Sequence, residues 1–380
     1  MKKLFLTLTI FLLSISFYPV KAIEKTADIL KKNVVTEGDG LYKDTTIAGR
    51  YIYKGGNPNN YIKLGDDLYR IISLEKDGTI KVIKQESIGY MAWDEENARY
   101  STNSDDFCTS QYGCKSWGSN TTTLDTNGNK VTQMPREVNG TLKNLPDKEA
   151  SLNTYLNNDF YNNLNDDVKS LIVEKLWNVG PTADNQTNLS ESIKEESAYK
   201  WKGKVALMNA TDYVKSSSNV ACMSVKDYLW DYVGNNSVCY TNSSTHNYLY
   251  SNNYPWMLSP GSDQYAGGLF NVSDSYSALS GNYRAMDRLA ARPAFFLLAK
   301  TTLSGEGSQT NPYTISKYME EIKEEPKDEG NKDEIKVDNG QVVEVPSTSA
   351  FGSIIIAGLG LACVIGSALI MKRITGKKVK

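Results

Sequence analysis

One histidine, His246, stands in 380 residues, and that scarcity removes most chemistry that depends on imidazole. A serine or cysteine nucleophile activated by a histidine base has a single partner to draw on, so His246 reads as an exposed loop residue rather than a catalytic one. No cysteine pair has Cys-x-x-Cys spacing, and with one histidine no zinc-binding set is offered. No motif implies a cofactor. Outside the extreme C-terminus there is no basic cluster, so the electrostatic footprint of a nucleic-acid binder is missing. What remains open to catalysis is carboxylate chemistry, for which Asp263, Asp274 and Asp287 in a loop-rich stretch are the candidates, set against their ordinary use as turn residues.

Two apolar segments bracket the chain. Phe351 to Met371 carries no charged side chain, and as a helix rising about 1.5 Å per residue it covers the roughly 30 Å of a hydrocarbon core. Lys372, Arg373, Lys377, Lys378 and Lys380 follow, so the positive-inside bias keeps residues 372–380 in the cytoplasm and everything before Phe351 outside. At the other end Lys2 and Lys3, the apolar run Leu4 to Phe17 and the small-residue step Val20-Lys21-Ala22 describe a signal peptide over residues 1–22, with the mature chain beginning near Ile23. The alternative, an uncleaved anchor, is disfavoured by Tyr18-Pro19, which breaks the apolar run. Gly358, Ala362 and Gly366 sit four apart, a spacing that lets two spans pack closely but is also common in single membrane helices.

Removing the signal and tail takes eight positive charges from a net charge of -2, which leaves about -10 on the exported part. Mean hydropathy is -0.44, as expected of a water-soluble body. The chain holds 24 Tyr against 9 Phe. Tyrosine offers a flat apolar face with a polar tip, which suits glycan or protein contact, although an AT-rich genome inflates Tyr, Asn and Lys without any functional cause. Four of the five cysteines lie in the exported part. Cys108 and Cys114 flank a short loop and Cys222 and Cys239 a longer one, so two local disulfides are expected, among the three connectivities that four cysteines allow.

Along the chain, residues 23–37 read as a leader and 38–315 as one domain. Leu68 to Leu74, the turn Glu75-Lys76-Asp77-Gly78 and Thr79 to Ile83 predict a β-hairpin reversing at Asp-Gly. Residues 99–145, rich in Ser, Thr, Asn and Gly, read as a loop insertion. Two short helices are expected: Leu152, Tyr155, Leu156 and Phe160 share one face, and after an Asn165 cap Val168, Leu171, Ile172 and Leu176 share another. Lys204 to Met208, Trp256 to Leu258, Gly268 to Val272 and Ala294 to Leu298 read as buried strands. Residues 316–345 alternate Glu, Asp and Lys with few apolar side chains, which predicts a disordered acidic stalk holding the domain about 30 Å off its anchor. The fold class is thus α+β: a compact mixed domain of short antiparallel strands, two short helices and long loops, with a C-terminal transmembrane helix.

Two resemblances bear on this reading. Val345-Pro346-Ser347-Thr348-Ser349, followed by the span and the basic tail, resembles the sorting signal that sortases cut after Thr, here Thr348, before joining a protein to the cell wall. Val345 in place of Leu and Ser349 in place of Gly depart from that pattern, and a plain single-span anchor at 351–371 is the alternative. Leu68-Tyr69-Arg70-Ile71-Ile72, Lys204 to Met208 with Asp212-Tyr213, Trp256-Met257-Leu258-Ser259-Pro260, Arg292-Pro293 and Asn311 to Ile315 together resemble a domain family of unknown function. That family occurs in surface-anchored proteins of Gram-positive gut bacteria and is distantly grouped with C-type-lectin-like and formylglycine-generating-enzyme-like folds. The resemblance implies a C-type-lectin-like arrangement and transfers no catalytic residue. The Glu-Pro-Asn, Gln-Pro-Asp and Trp-Asn-Asp elements of calcium-dependent lectins are absent, and Asn57-Pro58-Asn59 lacks the carboxylate that would take calcium.

The function expected is therefore a surface-anchored, adhesin-like binding protein contacting a glycan or protein of a host or neighbouring cell. Its other partners are the membrane through the C-terminal helix and, where Thr348 is cut, a sortase and the cell wall. Tyr265, Tyr276 and Tyr283 are the expected contact face, while Trp256, Pro260, Arg292 and Pro293 read as buried architecture. The alternative function is a carboxylate-dependent hydrolase of cell wall or glycan.

Overall fold

The Asp77-Gly78 reversal forms as the sequence predicts, and the main sheet is organised around it. Gly78 takes φ 83°, and the Asp77 carboxylate accepts the Thr79 N–H at 3.1 Å and its hydroxyl at 2.6 Å. The structure is a computed structural model. It describes residues 24–317 apart from 96–98, 100, 110–112, 184, 229–237, 242, 252, 262–268 and 273–278, all within a unit spanning Met1–Glu320.

Ten strands share the main sheet. They are β1 (Gly40–Lys43), β2 (Tyr51–Lys54), β3 (Tyr61–Leu64), β4 (Asp67–Leu74), β5 (Ile80–Lys84), β6 (Ile172–Val173), β7 (Val205–Ala206), β8 (Ala294–Leu297), β9 (Thr301–Ser304) and β10 (Tyr313–Lys317). Their order is β6-β8-β5-β4-β3-β10-β9, with β7 also on β8, β2 also on β4, and β1 on β2. Pairing is antiparallel except between β10 and β3, where Tyr313 lies opposite Ile62 in parallel register. Strands β4 and β5 are covered on both faces, so Ile71, Ile72, Leu74, Ile80, Val82 and Ile83 are all buried. That is why their sequence runs apolar instead of alternating.

The helices differ in number and extent from the two expected. The first forms as Ser151–Tyr155, a π turn Leu156–Phe160 and Tyr161–Asn163. Asn165 caps the second, accepting from the Asp167 N–H at 2.7 Å, but that helix ends at Leu171. Ile172 and Val173 instead pair with Leu297 and Phe296, and Leu176 lies in a strand, Lys175–Asn178, that pairs with Lys200–Gly203. Two further helices follow, the nine-residue α1 (Leu189–Ser197) and the six-residue α2 (Ala210–Lys215). Short helices also form at Thr26–Lys31, Val238–Thr241 and Ser243–His246.

The insertion 99–145 is more ordered than its composition suggests. It carries the hairpin of Gln133–Pro135 with Leu142–Asn144 and a small apolar cluster of Phe107, Cys108, Cys114, Met134 and Leu145. Both expected disulfides are present, Cys108 with Cys114 and Cys222 with Cys239. The expected signal peptide, acidic stalk, sorting residues Pro346 and Thr348 and apolar span 351–371 all lie outside the described residues. Among the described residues no helix is long and apolar enough to cross a membrane.

Candidate functional site

The β1–β2 hairpin brings together residues that are far apart in sequence. Gly40 pairs with Lys54, so Asp39, one residue before β1, meets Gly55 to Asn57, the residues just after β2. The Asp39 carboxylate accepts the Asn57 N–H at 2.7 Å. Gly55 has φ 115°, and a Cβ there would stand 2.1 Å from Asp39 Oδ1, so only glycine admits this approach. Together with the Asn57-Pro58-Asn59 turn, the N-terminal helix and the loop at Gly305 and Glu306, Asp39 borders a groove of about 630 Å³. Its rim is polar and exposed, with Asn33, Asp39, Asn57, Asn59 and Glu306, while Leu41, Tyr53 and Tyr313 form a buried floor. The Tyr53 phenol lies beside that of Tyr313, and burial pushes its titration far up, yet its hydroxyl makes no hydrogen bond of regular geometry.

The turn is fixed from beneath. Arg70 on β4 donates from Nε to Asn60 Oδ1 at 2.5 Å and from Nη2 to the Pro58 carbonyl at 3.2 Å. Its guanidinium lies 3.7 Å from the Tyr61 ring centroid and 4.8 Å from that of Tyr248. The Tyr61 hydroxyl in turn donates to Asn57 Oδ1 at 3.2 Å, and the Asn60 side chain donates to the Ile71 carbonyl at 2.7 Å. A rim of exposed amides and carboxylates, with Asp39 and Asn57 held by hydrogen bonds, is suited to exchange paired hydrogen bonds with a polyhydroxylated ring.

A second cavity, of about 160 Å³, adjoins a buried ion network. Asp212 on α2 accepts from Lys81 Nζ at 2.5 Å and from Arg50 Nη2 at 3.2 Å, and also from the Asn209 N–H at 3.0 Å. Burial would raise its titration, but the Lys81 and Arg50 charges outweigh that and hold the carboxyl well below the usual range. Arg50 also meets Glu75 at 3.1 Å, and Asp44 takes Lys215 at 2.7 Å. Three cations thus face three carboxylates, and their charges balance within the network. Next to it, burial lifts the Glu196 carboxyl to about 7, partly offset by hydrogen bonds from Ser259 and Thr211. Glu196 is fully buried and ties α1 to α2 and to strand Trp256–Pro260. Both groups hold elements together.

Of the candidate contact and catalytic residues singled out in the sequence, none that the structure describes borders the groove beside Asp39. Tyr283 is half-buried, its ring 6.4 Å from Trp256 and 6.5 Å from Tyr254, so it packs against the core more than it faces a ligand; Tyr265 and Tyr276 lie outside the described residues. Asp287 closes a turn, accepting the Arg284 N–H at 2.8 Å and its guanidinium at 2.9 Å; Asp263 and Asp274 lie outside the described residues. Trp256 and Arg292 are buried, with Trp256 Nε1 donating to the Met91 carbonyl at 2.8 Å and Arg292 donating to the carbonyls of Lys84 and Leu249, each at 3.0 Å.

His246 is not the exposed loop residue expected. It closes a short helix, 7% exposed, with Nδ1 2.9 Å from Ser217 Oγ and Nε2 3.1 Å from the Val238 carbonyl. Burial keeps the ring neutral by pushing its titration down, and both nitrogens are committed to structure. Among the described residues no three His, Cys, Asp or Glu side chains gather into a metal-binding group.

Residues 134–299 match a family described as a domain of unknown function (DUF6273). No curated protein and no solved structure matches the chain. The DUF6273 match takes in the hairpin of the insertion, α1, α2 and β6 to β8, including Glu196 and Asp212, but it leaves out β1 to β5 and every groove residue named above. The groove therefore gains nothing from the DUF6273 match. Asn57-Pro58-Asn59 carries no carboxylate of its own for calcium; strand pairing brings the single carboxylate of Asp39 to the turn, where it accepts the Asn57 N–H. The signals that point to it are the glycines flanking Asp39 and the Gly55-Gly56 pair before Asn57, since such glycines mark close backbone approach.

Proposed function

We propose that this protein is a cell-surface binding module that holds a glycan in the groove between Asp39, Asn59 and Glu306, and that it acts by binding rather than by catalysis. The groove carries the reading: exposed acceptors and donors border it, two of them, Asp39 and Asn57, held in place by hydrogen bonds, a combination that recognises hydroxyl pairs. Two disulfides fit an oxidising compartment, and the apolar runs 4–17 and 351–371 supply export and anchorage, through the membrane or through a sortase acting after Thr348.

The test is binding of the full exported chain to glycan and protein arrays, compared with Asp39→Ala and Asn59→Ala. Retention of glycans that both variants lose, with unchanged melting, supports the reading; uniformly negative arrays count against it. Tyr265→Ala and Tyr276→Ala in the same assay test the second contact face. Because Asp39 and Glu306 both border the groove, the hydrolase reading is checked there too. Release of new reducing ends from oligosaccharide or peptidoglycan, lost in Asp39→Asn or Glu306→Gln, would assign cleavage instead.

A further inference from the structure

The paired strands Lys175–Asn178 and Lys200–Gly203 end on a lysine facing an amide. Asn178 and Lys200 are direct partners in the ladder, and the Val179 N–H continues the pairing to the Tyr199 carbonyl at 2.9 Å. Directly opposed residues share a face of the sheet. Lys200 Nζ donates to Asn178 Oδ1 at 2.5 Å, which holds the amine next to the side-chain amide. The Asn178 backbone is further pinned by Asn209 Nδ2, which donates to its carbonyl at 3.0 Å, and the next rung of the ladder is Trp177 opposite Trp201, both buried. The two side chains are already neighbours, so only a local swing of Nζ from the amide oxygen to its carbon separates this pair from attack.

We propose that Lys200 and Asn178 form an intramolecular isopeptide bond. The neutral Lys200 Nζ adds to the Asn178 side-chain carbonyl carbon, an Nζ proton passes to Nδ2, and the C–Nδ2 bond breaks. One ammonia leaves and a secondary amide joins the two side chains, with no change of oxidation state and no co-reactant.

The local environment makes the amine form easier to reach than in a free lysine. Burial lowers the Lys200 titration, opposed by the neighbouring Glu196, and Glu196 itself keeps its proton to about 7, which weakens that opposition. The buried lysines Lys81 and Lys215 are different, because each faces an ionised carboxylate. A carboxylate anion resists attack by nitrogen, whereas the uncharged Asn178 amide remains an electrophile.

The experiment is the intact mass of the full chain, fresh and after incubation at mildly alkaline pH, followed by tryptic mapping. The expected result is a mass lower by one ammonia than the sequence with two disulfides, and a branched peptide joining the segments that contain Asn178 and Lys200. Lys200→Arg, which keeps the charge and the hydrogen bond but has no such amine, should carry the full mass. Linear Asn178 and Lys200 peptides after incubation overturn the proposal. So does an ammonia loss that persists in Lys200→Arg, since it then arises elsewhere.

Discussion

The Arg70 guanidinium lies 3.7 Å from the centre of the Tyr61 ring and, through its N–H groups, holds the turn that borders the groove. Arg70→Ala removes two hydrogen bonds from a buried cation together with its ring contacts, a loss of about 2 to 4 kcal/mol. Arg70→Lys should recover only part of it, because an ammonium cannot reproduce the planar fork that reaches Asn60 and Pro58 together. Urea unfolding of the three proteins checks the order.

Gly55→Ala tests the close approach of Asp39. An L-residue at φ 115° with its Cβ 2.1 Å from Asp39 Oδ1 is strained in backbone and contact alike, so a destabilisation of about 1 to 3 kcal/mol is expected. Glycan binding by the folded fraction should fall as well, because Asp39 must move.

Glu196 gives stability a pH slope of defined sign. Its carboxyl rises from 4.5 to about 7 on folding, so the native state binds the proton more tightly than the unfolded chain. That contribution is fully present below the ordinary carboxylate range and fades as pH climbs through 7, by about 3 kcal/mol in all. Glu196→Gln should remove this decline. The difference between wild type and variant in melting temperature, followed from pH 4 to 8, is the measurement.

Asp212 has the opposite slope. Lys81 and Arg50 hold its carboxyl below the usual range, so its stabilisation is complete at neutral pH and is lost only as pH falls below that range. Asp212→Asn leaves two buried cations underneutralised and should cost about 3 to 5 kcal/mol at pH 7. Acid titration of unfolding distinguishes it from Glu196→Gln.

The two disulfides should contribute unequally. Cys222 and Cys239 are 17 residues apart and Cys108 and Cys114 only 6, so loop closure assigns about 3 and about 2 kcal/mol respectively. Separate Cys→Ala pairs, compared by denaturant midpoint, measure each.

Local signals were legible where local physics decides the structure. The Asp77-Gly78 hairpin, the Asn165 cap and both cysteine pairings follow from turn chemistry and spacing. Ile172 and Leu176 misled because four apolar positions at helical spacing also fit a short helix followed by strands. The helix stops at Leu171, where its carbonyl accepts the Leu298 N–H at 2.9 Å, a partner that no local pattern reveals. His246 misled for a similar reason: a polar, Ser/Thr-rich neighbourhood reads as surface, but Ser217 and the Val238 carbonyl satisfy the ring in the interior. Asp39, Glu306 and Tyr313 meet only through the β1–β2 and β3–β10 pairings, and single-sequence periodicity carries no record of such contacts.

The parallel match of β10 to β3 has a mechanical meaning. Tension applied to the chain beyond Lys317 enters the domain through the strand that begins at Tyr313, and it pulls that strand lengthwise against β3. That tension is carried by two parallel pairs, Tyr313 with Ile62 and Thr314 with Lys63, and by four antiparallel pairs of β10 with β9. Tyr313 lies beneath the groove, so load on this strand reaches the groove's underside directly.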